Sequence, residues 1–117
     1  MTERFKVDTS GNLSVSADVI AYASSDKRLK ENVKKIKYSL KKVKEIRGVE
    51  FDWKKGIKNF EQKGHDVGVI AQEVEEVLPE VVQTRDTGYK AVKYEKIVPL
   101  LIEAIKELKE EVEELKK

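Results

Sequence analysis

The chain has 117 residues, 39% hydrophobic and 39% charged, which suits one domain with a modest core and well-solvated helix faces. A net charge of only +2 gives no strong field toward nucleic acid or membrane. The lack of cysteine excludes disulfides and a thiol nucleophile, and the single histidine, His65, excludes any site needing two. The apolar runs are too short and interrupted to span a bilayer, and Met1 is followed by Thr-Glu-Arg rather than an apolar leader, so a soluble setting is expected.

In chain order, residues 3–23 are expected to be β. Phe5 and Val7 alternate with polar residues, Thr9-Ser10-Gly11-Asn12 marks a turn, and Leu13, Val15 and Ala17 alternate again. Val19 to Tyr22 is a further apolar run. Strands with so few apolar residues are marginal alone and want partner strands, other copies of the chain included.

Composition changes at Ser24-Ser25-Asp26. From Asp26 to Arg47, Leu29, Val33, Ile36, Leu40, Val43 and Ile46 recur at spacings of 4, 3, 4, 3 and 3, the pattern of one helix face. Tyr38-Ser39 could break that helix, and Gly48 reads as its C′ residue. A strand is expected at Val49–Trp53, then a polar loop with Gly56 and Gly64, and a strand at Val67–Ile70. Ala71–Leu78 reads as a short helix stopped by Pro79. Val81–Thr84 and Tyr89–Tyr94 flank Asp86-Thr87-Gly88 as a hairpin.

The segment Glu95–Lys117 is the clearest. Val98, Leu101, Ile105, Leu108, Val112 and Leu115 are spaced 3, 4, 3, 4 and 3, an unbroken heptad, with Glu111 and Lys116 at flanking g and e positions. Pro99 sits near the helix start, where its missing N–H costs least. A single amphipathic helix docked on its own domain satisfies the same periodicity. Ile97, Ile102 and Ala104 widen the apolar face, which suits mixed use: the upper part on the domain, Ile105 to Leu115 between chains. Two heptads cannot hold a bundle unaided. β-branched residues at a with Leu at d favour two strands by the general rule.

Ser25-Asp26-Lys27-Arg28-Leu29-Lys30-Glu31-Asn32-Val33 sits where β pattern gives way to helix pattern. It offers a hydroxyl, a lysine five residues on, and the free N–H donors of a helix start, which could stabilise an oxyanion. A lysine can take a proton from serine only when neutral, and its ordinary pKa is about 10.4, so burial or nearby cations must lower it. Residues five apart lie roughly 140° around a helix. Ser25 must therefore lie outside the helix, or the segment is not a regular helix. By spacing alone, Ser25 fits equally an N-cap ahead of a basic solvated face.

Several stretches in order carry a resemblance: Ser25 to Val33, Arg47 to Trp53, Val67 to Val74, Leu78 to Val82, Tyr89 to Tyr94, and Ile97 to Leu101. Over residues 24–117 the chain resembles the intramolecular chaperone domain of phage endosialidases and other tail-fibre proteins, the S74 peptidase family. The resemblance implies an α+β fold: a short β stem at 1–24, a small mixed α/β chaperone domain at 25–117, and a C-terminal helix, 95–117, forming a coiled coil in a homotrimer. The trimer is taken over the two-strand rule because an attached domain and stem can override a short coil. It implies a domain that trimerises and folds the fibre ahead of it, then cuts itself off in the host cytoplasm, leaving the stem in the virion. The residues implied are Ser25 and Lys30 as a catalytic dyad, cutting the Ser24–Ser25 bond. Neither cofactor nor metal is implied, and neither nucleic acid nor membrane as partner.

A non-cleaving trimerisation module, with Ser25 only a cap, shares the fold. Nucleic-acid binding through the Lys-rich run Lys27–Lys44 is disfavoured, because Glu31 and Glu45 interrupt it and its apolar face needs burial. His65 lies in a polar loop and reads as non-catalytic. Trp53, Phe51 and Tyr94 read as core. Glu73, Glu75 and Glu76 lack metal-site spacing.

Overall fold

The computed structural model describes residues 4–117. Residues 1–3, part of the expected stem and chain start, lie outside the described residues. The chain is mixed α/β and forms two compact units, one of Met1–Val33 with Asp52–His65, the other of Lys34–Phe51 with Asp66–Lys117.

In the first unit, β1 (Phe5–Val7) pairs antiparallel with β2 (Leu13–Val15). Asp8 organises the turn between them. Its Oδ1 accepts from the N–H groups of Ser10 and Asn12 at 2.9 Å, and its Oδ2 from Asn12 Nδ2 at 3.1 Å. Gly11 supplies the left-handed residue, at φ 82°. Phe5 opposes Val15 and Val7 opposes Leu13, so four apolar residues share one face, and Phe5, Val7 and Leu13 are exposed on it. The apolar run Val19–Tyr22 forms no strand and is exposed. Thr9 Oγ1 donates to Glu61 at 2.8 Å, and Trp53 stacks obliquely on Phe60 with centroids 5.2 Å apart.

Asp26–Arg47 is not one helix. It holds a 3₁₀ turn at Lys27–Leu29 and, much later, α1 (Ser39–Lys44). Leu29 and Val33 are 73% and 76% exposed, so no packing rewards a helix that would align them. Lys30–Lys34 and Lys37–Lys41 would also stack like charges at i,i+4. Asn32 and Tyr38 take left-handed φ of 54° and 56°, and Tyr38 makes the expected break just before α1. Gly48 is not the terminator, since α1 ends at a right-handed Glu45.

In the second unit, β3 (Val49–Asp52) pairs with β4 (His65–Gly68), their ends Asp52 and His65 counting with the first unit. β4 lies about two residues earlier than the apolar run suggested, and Val67 is exposed on it. α2 (Ala71–Val77) stops before Pro79, which opens a 3₁₀ turn, Pro79–Val81. β5 (Val82–Thr84) and β6 (Lys90–Val92) form the expected hairpin, Val82 opposite Val92, with Gly88 at φ 89°. α3 (Val98–Leu115) follows a 3₁₀ turn at Tyr94–Ile97. Pro99 has no N–H to give four residues back, so the α pattern begins beside it rather than at Glu95.

The core of this unit is Val74, Leu78, Val81 and Leu100, flanked by half-buried Ile36, Val43, Ile46, Val69, Val77, Val82, Val92 and Ile97. α1 packs on α3, and Glu107 of α3 caps it. The Glu107 carboxylate accepts from the N–H groups of Ser39 (2.8 Å) and Leu40 (3.3 Å), while the buried Ser39 hydroxyl donates to the Ile36 carbonyl at 2.9 Å. Of the aromatics expected in the core, Phe51 and Trp53 are half-buried and Tyr94 is exposed; none is fully buried.

Candidate functional site

Asp26 starts the 3₁₀ turn and is its N-cap, with extended φ and ψ. Its Oδ1 accepts from the Arg28 N–H at 2.8 Å and from Arg28 Nε at 3.1 Å, and its Oδ2 from Nη2 at 2.9 Å. The Arg28 guanidinium and then its N–H hold the Asp26 carboxyl below the usual aspartate range. The capping role weighed for Ser25 thus belongs to its neighbour. The Arg28 N–H, one of the donors expected to be free for an oxyanion, is taken by Asp26.

Lys30 ends the turn in extended backbone, its N–H bonded to the Lys27 carbonyl at 3.2 Å. Its side chain folds back over the turn and Nζ lies 2.9 Å from Ser25 Oγ. Ser25 lies outside the turn and Lys30 beyond its last residue, which resolves the 140° difficulty. Both side chains, and Ser24, are exposed in the single chain.

A second feature is α3. Every heptad residue is exposed: Val98, Leu101, Ile105, Leu108, Val112 and Leu115 range from 41% to 86%. The helix does dock on its own unit, but through Leu100 and Ala104, which lie on another face. The heptad seam is therefore open along the whole helix.

His65, Glu73 and Glu75 have partners elsewhere in the fold. His65 Nδ1 lies 3.0 Å from Asp52 Oδ1. Glu73 pairs with Arg47 Nη2 at 2.6 Å and Glu75 with Lys90 Nζ at 2.8 Å. Among the described residues, no cluster of His, Asp and Glu is placed to hold a metal, and no helix is long and apolar enough to cross a membrane. The Asp26–Arg28 brace and the Glu107 cap do not show in residue spacing. The first was open to detection, since Asp is among the best N-cap residues. The second, 68 residues from its target, was not.

The model of the peptidase S74 family, described as chaperone of endosialidase, matches residues 25–83, beginning at the hydroxyl that meets Lys30. The chain belongs to this family. This S74 chain is also similar to long tail fiber proteins Gp37. It is 36% identical over 99 residues to that of Enterobacteria phage M1, 40% over 98 to that of phage K3, and 35% over 99 to that of Salmonella phage S16. About four fifths of the S74 chain is covered in each case, 81%, 80% and 80%. It spans only 39%, 8% and 13% of those proteins' lengths.

Proposed function

We propose that the chain is an intramolecular chaperone that trimerises and folds an upstream tail fibre, then releases itself by cutting the Ser24–Ser25 bond. Residues 1–24 are the end of the stem, and 25–117 the chaperone and self-cleaving part. The work takes place in the host cytoplasm during assembly, and the stem stays in the virion fibre. The observation that carries the cleavage reading is the 2.9 Å contact between Lys30 Nζ and Ser25 Oγ at the first residues of the family match.

In the proposed reaction, neutral Lys30 takes the Ser25 Oγ proton as Oγ attacks the Ser24 carbonyl carbon. The C–N bond breaks and Lys30 returns the proton to the departing Ser25 amine. The resulting ester is hydrolysed by water, giving a Ser24 carboxylate and restoring the Ser25 hydroxyl. Holding the attacking hydroxyl beside its target carbonyl, with the base in contact, lowers that barrier through proximity. The lysine must be neutral to act, and burial disfavours its charged form. Association of several copies would supply that burial.

The open heptad seam of α3 supports such association, since six large apolar side chains in one stripe want a covering partner. The exposed apolar face of the β1–β2 hairpin supports it too.

Intact mass and light scattering on freshly made protein test both halves together. The parent is expected as a trimer that splits at Ser24–Ser25, with Ser25→Ala and Lys30→Ala remaining whole. Continued scission in Ser25→Ala sinks the dyad. Leu108→Asp is expected to give uncut monomer; a monomer that still splits breaks the link between assembly and cutting. A parent that trimerises and stays whole would favour the non-cleaving module.

A further inference from the structure

Lys30 touches Ser25 across a wound backbone, and a fully extended one would part them. A 3₁₀ turn rises about 2 Å per residue, whereas an extended chain rises about 3.3 Å. Extended, the two α-carbons would stand about 16 Å apart, a gap no lysine side chain closes. Yet the turn has little to hold it. It is three residues long, has no buried residue, and carries two backbone hydrogen bonds, Leu29 N–H to Asp26 O (3.0 Å) and Lys30 N–H to Lys27 O (3.2 Å). A single isolated turn is unfavourable in water.

What braces it is the Asp26 carboxylate. One oxygen caps the Arg28 N–H, and both receive the guanidinium of the same residue, which closes a ring of three hydrogen bonds around the start of the turn. We infer that Asp26 is a positioning residue for the Ser25–Lys30 pair, acting through Arg28 to keep the turn wound. This rests on the cleavage reading above. Asp26 touches neither the Ser24 carbonyl nor the amine; its effect is to keep Nζ beside Oγ. The guanidinium and then the N–H of Arg28 hold this carboxyl below the usual aspartate range, so the acceptor charge of the brace persists to lower pH than on a free aspartate.

The test uses the full chain as parent, Asp26→Ala, Asp26→Asn, Arg28→Ala and Ser25→Ala. Two readouts are taken: the first-order rate of scission by intact mass, and the NOE between the Lys30 ε-CH2 and Ser25 β-CH2 protons. Asp26→Ala is expected to slow scission about 100-fold, the scale of an ångström of misplacement, and to lose the NOE. Oligomer mass and melting midpoint are expected to stay put. Asp26→Asn, which keeps the backbone cap, should recover most of the rate and the NOE. Arg28→Ala should fall between the two. A general folding defect would instead move the melting midpoint and oligomer mass along with the rate. Parental rate and NOE in Asp26→Ala overturn the positioning role. Scission surviving in Ser25→Ala overturns the dyad reading and leaves the NOE to judge Asp26. An uncut parent leaves the same judge: loss of the NOE in Asp26→Ala supports the role and its persistence refutes it.

Discussion

Two stretches of this chain carry the same helical signal, and only one of them is a helix. Residues 26–47 and 98–115 both repeat apolar side chains every three or four positions. The second is an 18-residue helix; the first is a three-residue turn and a six-residue helix. The second has something to pack against. Leu100 and Ala104 are buried, and mixed charges pair along its surface, as in Lys106–Glu103 and Lys109–Glu113. The first stretch starts with Leu29 and Val33 in solvent and crowds lysines together. It becomes helical only at α1, where Val43 reaches the core and Glu107 caps the first N–H groups. Periodicity proposes a helix, and burial decides whether one forms.

The sharpest way to break this comparison is a pair of truncations. Leu100→Ala should cost about 2–5 kcal/mol and Leu29→Ala within about 0.5 kcal/mol, by urea unfolding at one fixed protein concentration. Equal costs would mean that Leu29 has a partner in the assembled protein. Next is the anchor ahead of α3. A Cβ on Gly68 would lie 2.7 Å from the Tyr94 hydroxyl, which accepts from the Val69 N–H at 3.3 Å. Gly68→Ala should therefore cost about 1–3 kcal/mol, with much of it recovered when Tyr94→Phe is added. Glu107→Ala should cost about 1 kcal/mol, the scale of a lost cap, and should lower protection of the Ser39 and Leu40 amides in hydrogen exchange.

The smallest effect concerns Arg47, where the first stretch ends. Its guanidinium, and then its N–H, hold the Glu73 carboxyl below the ordinary 4.5. A depressed native pKa stabilises the fold above the unfolded value, and that contribution is lost as pH falls through the native one. Glu73→Gln should flatten the fall in melting temperature below pH 4.5 and leave a smaller, pH-independent loss above it. An unchanged acid limb would show that the pair adds nothing, as many exposed ion pairs do.

Much of the order of elements was legible, for local reasons. The hairpin turn at residues 9–12 and the one around Gly88 declare themselves by glycine and polar clusters, Pro79 by its missing N–H, and α3 by its period. Boundaries moved where a neighbour decided them, as with β4, or where a proline altered the first turn, as at Pro99. The candidate site was legible only as residues. Ser25 and Lys30 are legible in the sequence, but the contact between them depends on a 3₁₀ turn that the helical spacing of 26–47 does not show. Asp26, which holds that turn, stands in the sequence only as one acidic residue ahead of the Lys-rich run.

The amino-acid order by itself determined which residue types lie where along the chain: a hydroxyl five places before an amine, six apolar residues at a and d heptad positions, and turns at glycine. It did so because these are short-range properties of the backbone and of spacing. Only the tertiary structure decided that α3 turns Leu100 and Ala104 inward and its heptad outward, and that Glu107 reaches back across 68 residues to cap Ser39. A pattern records that a face is apolar or a side chain reactive. What covers the face, or meets the side chain, is set by groups brought together through space.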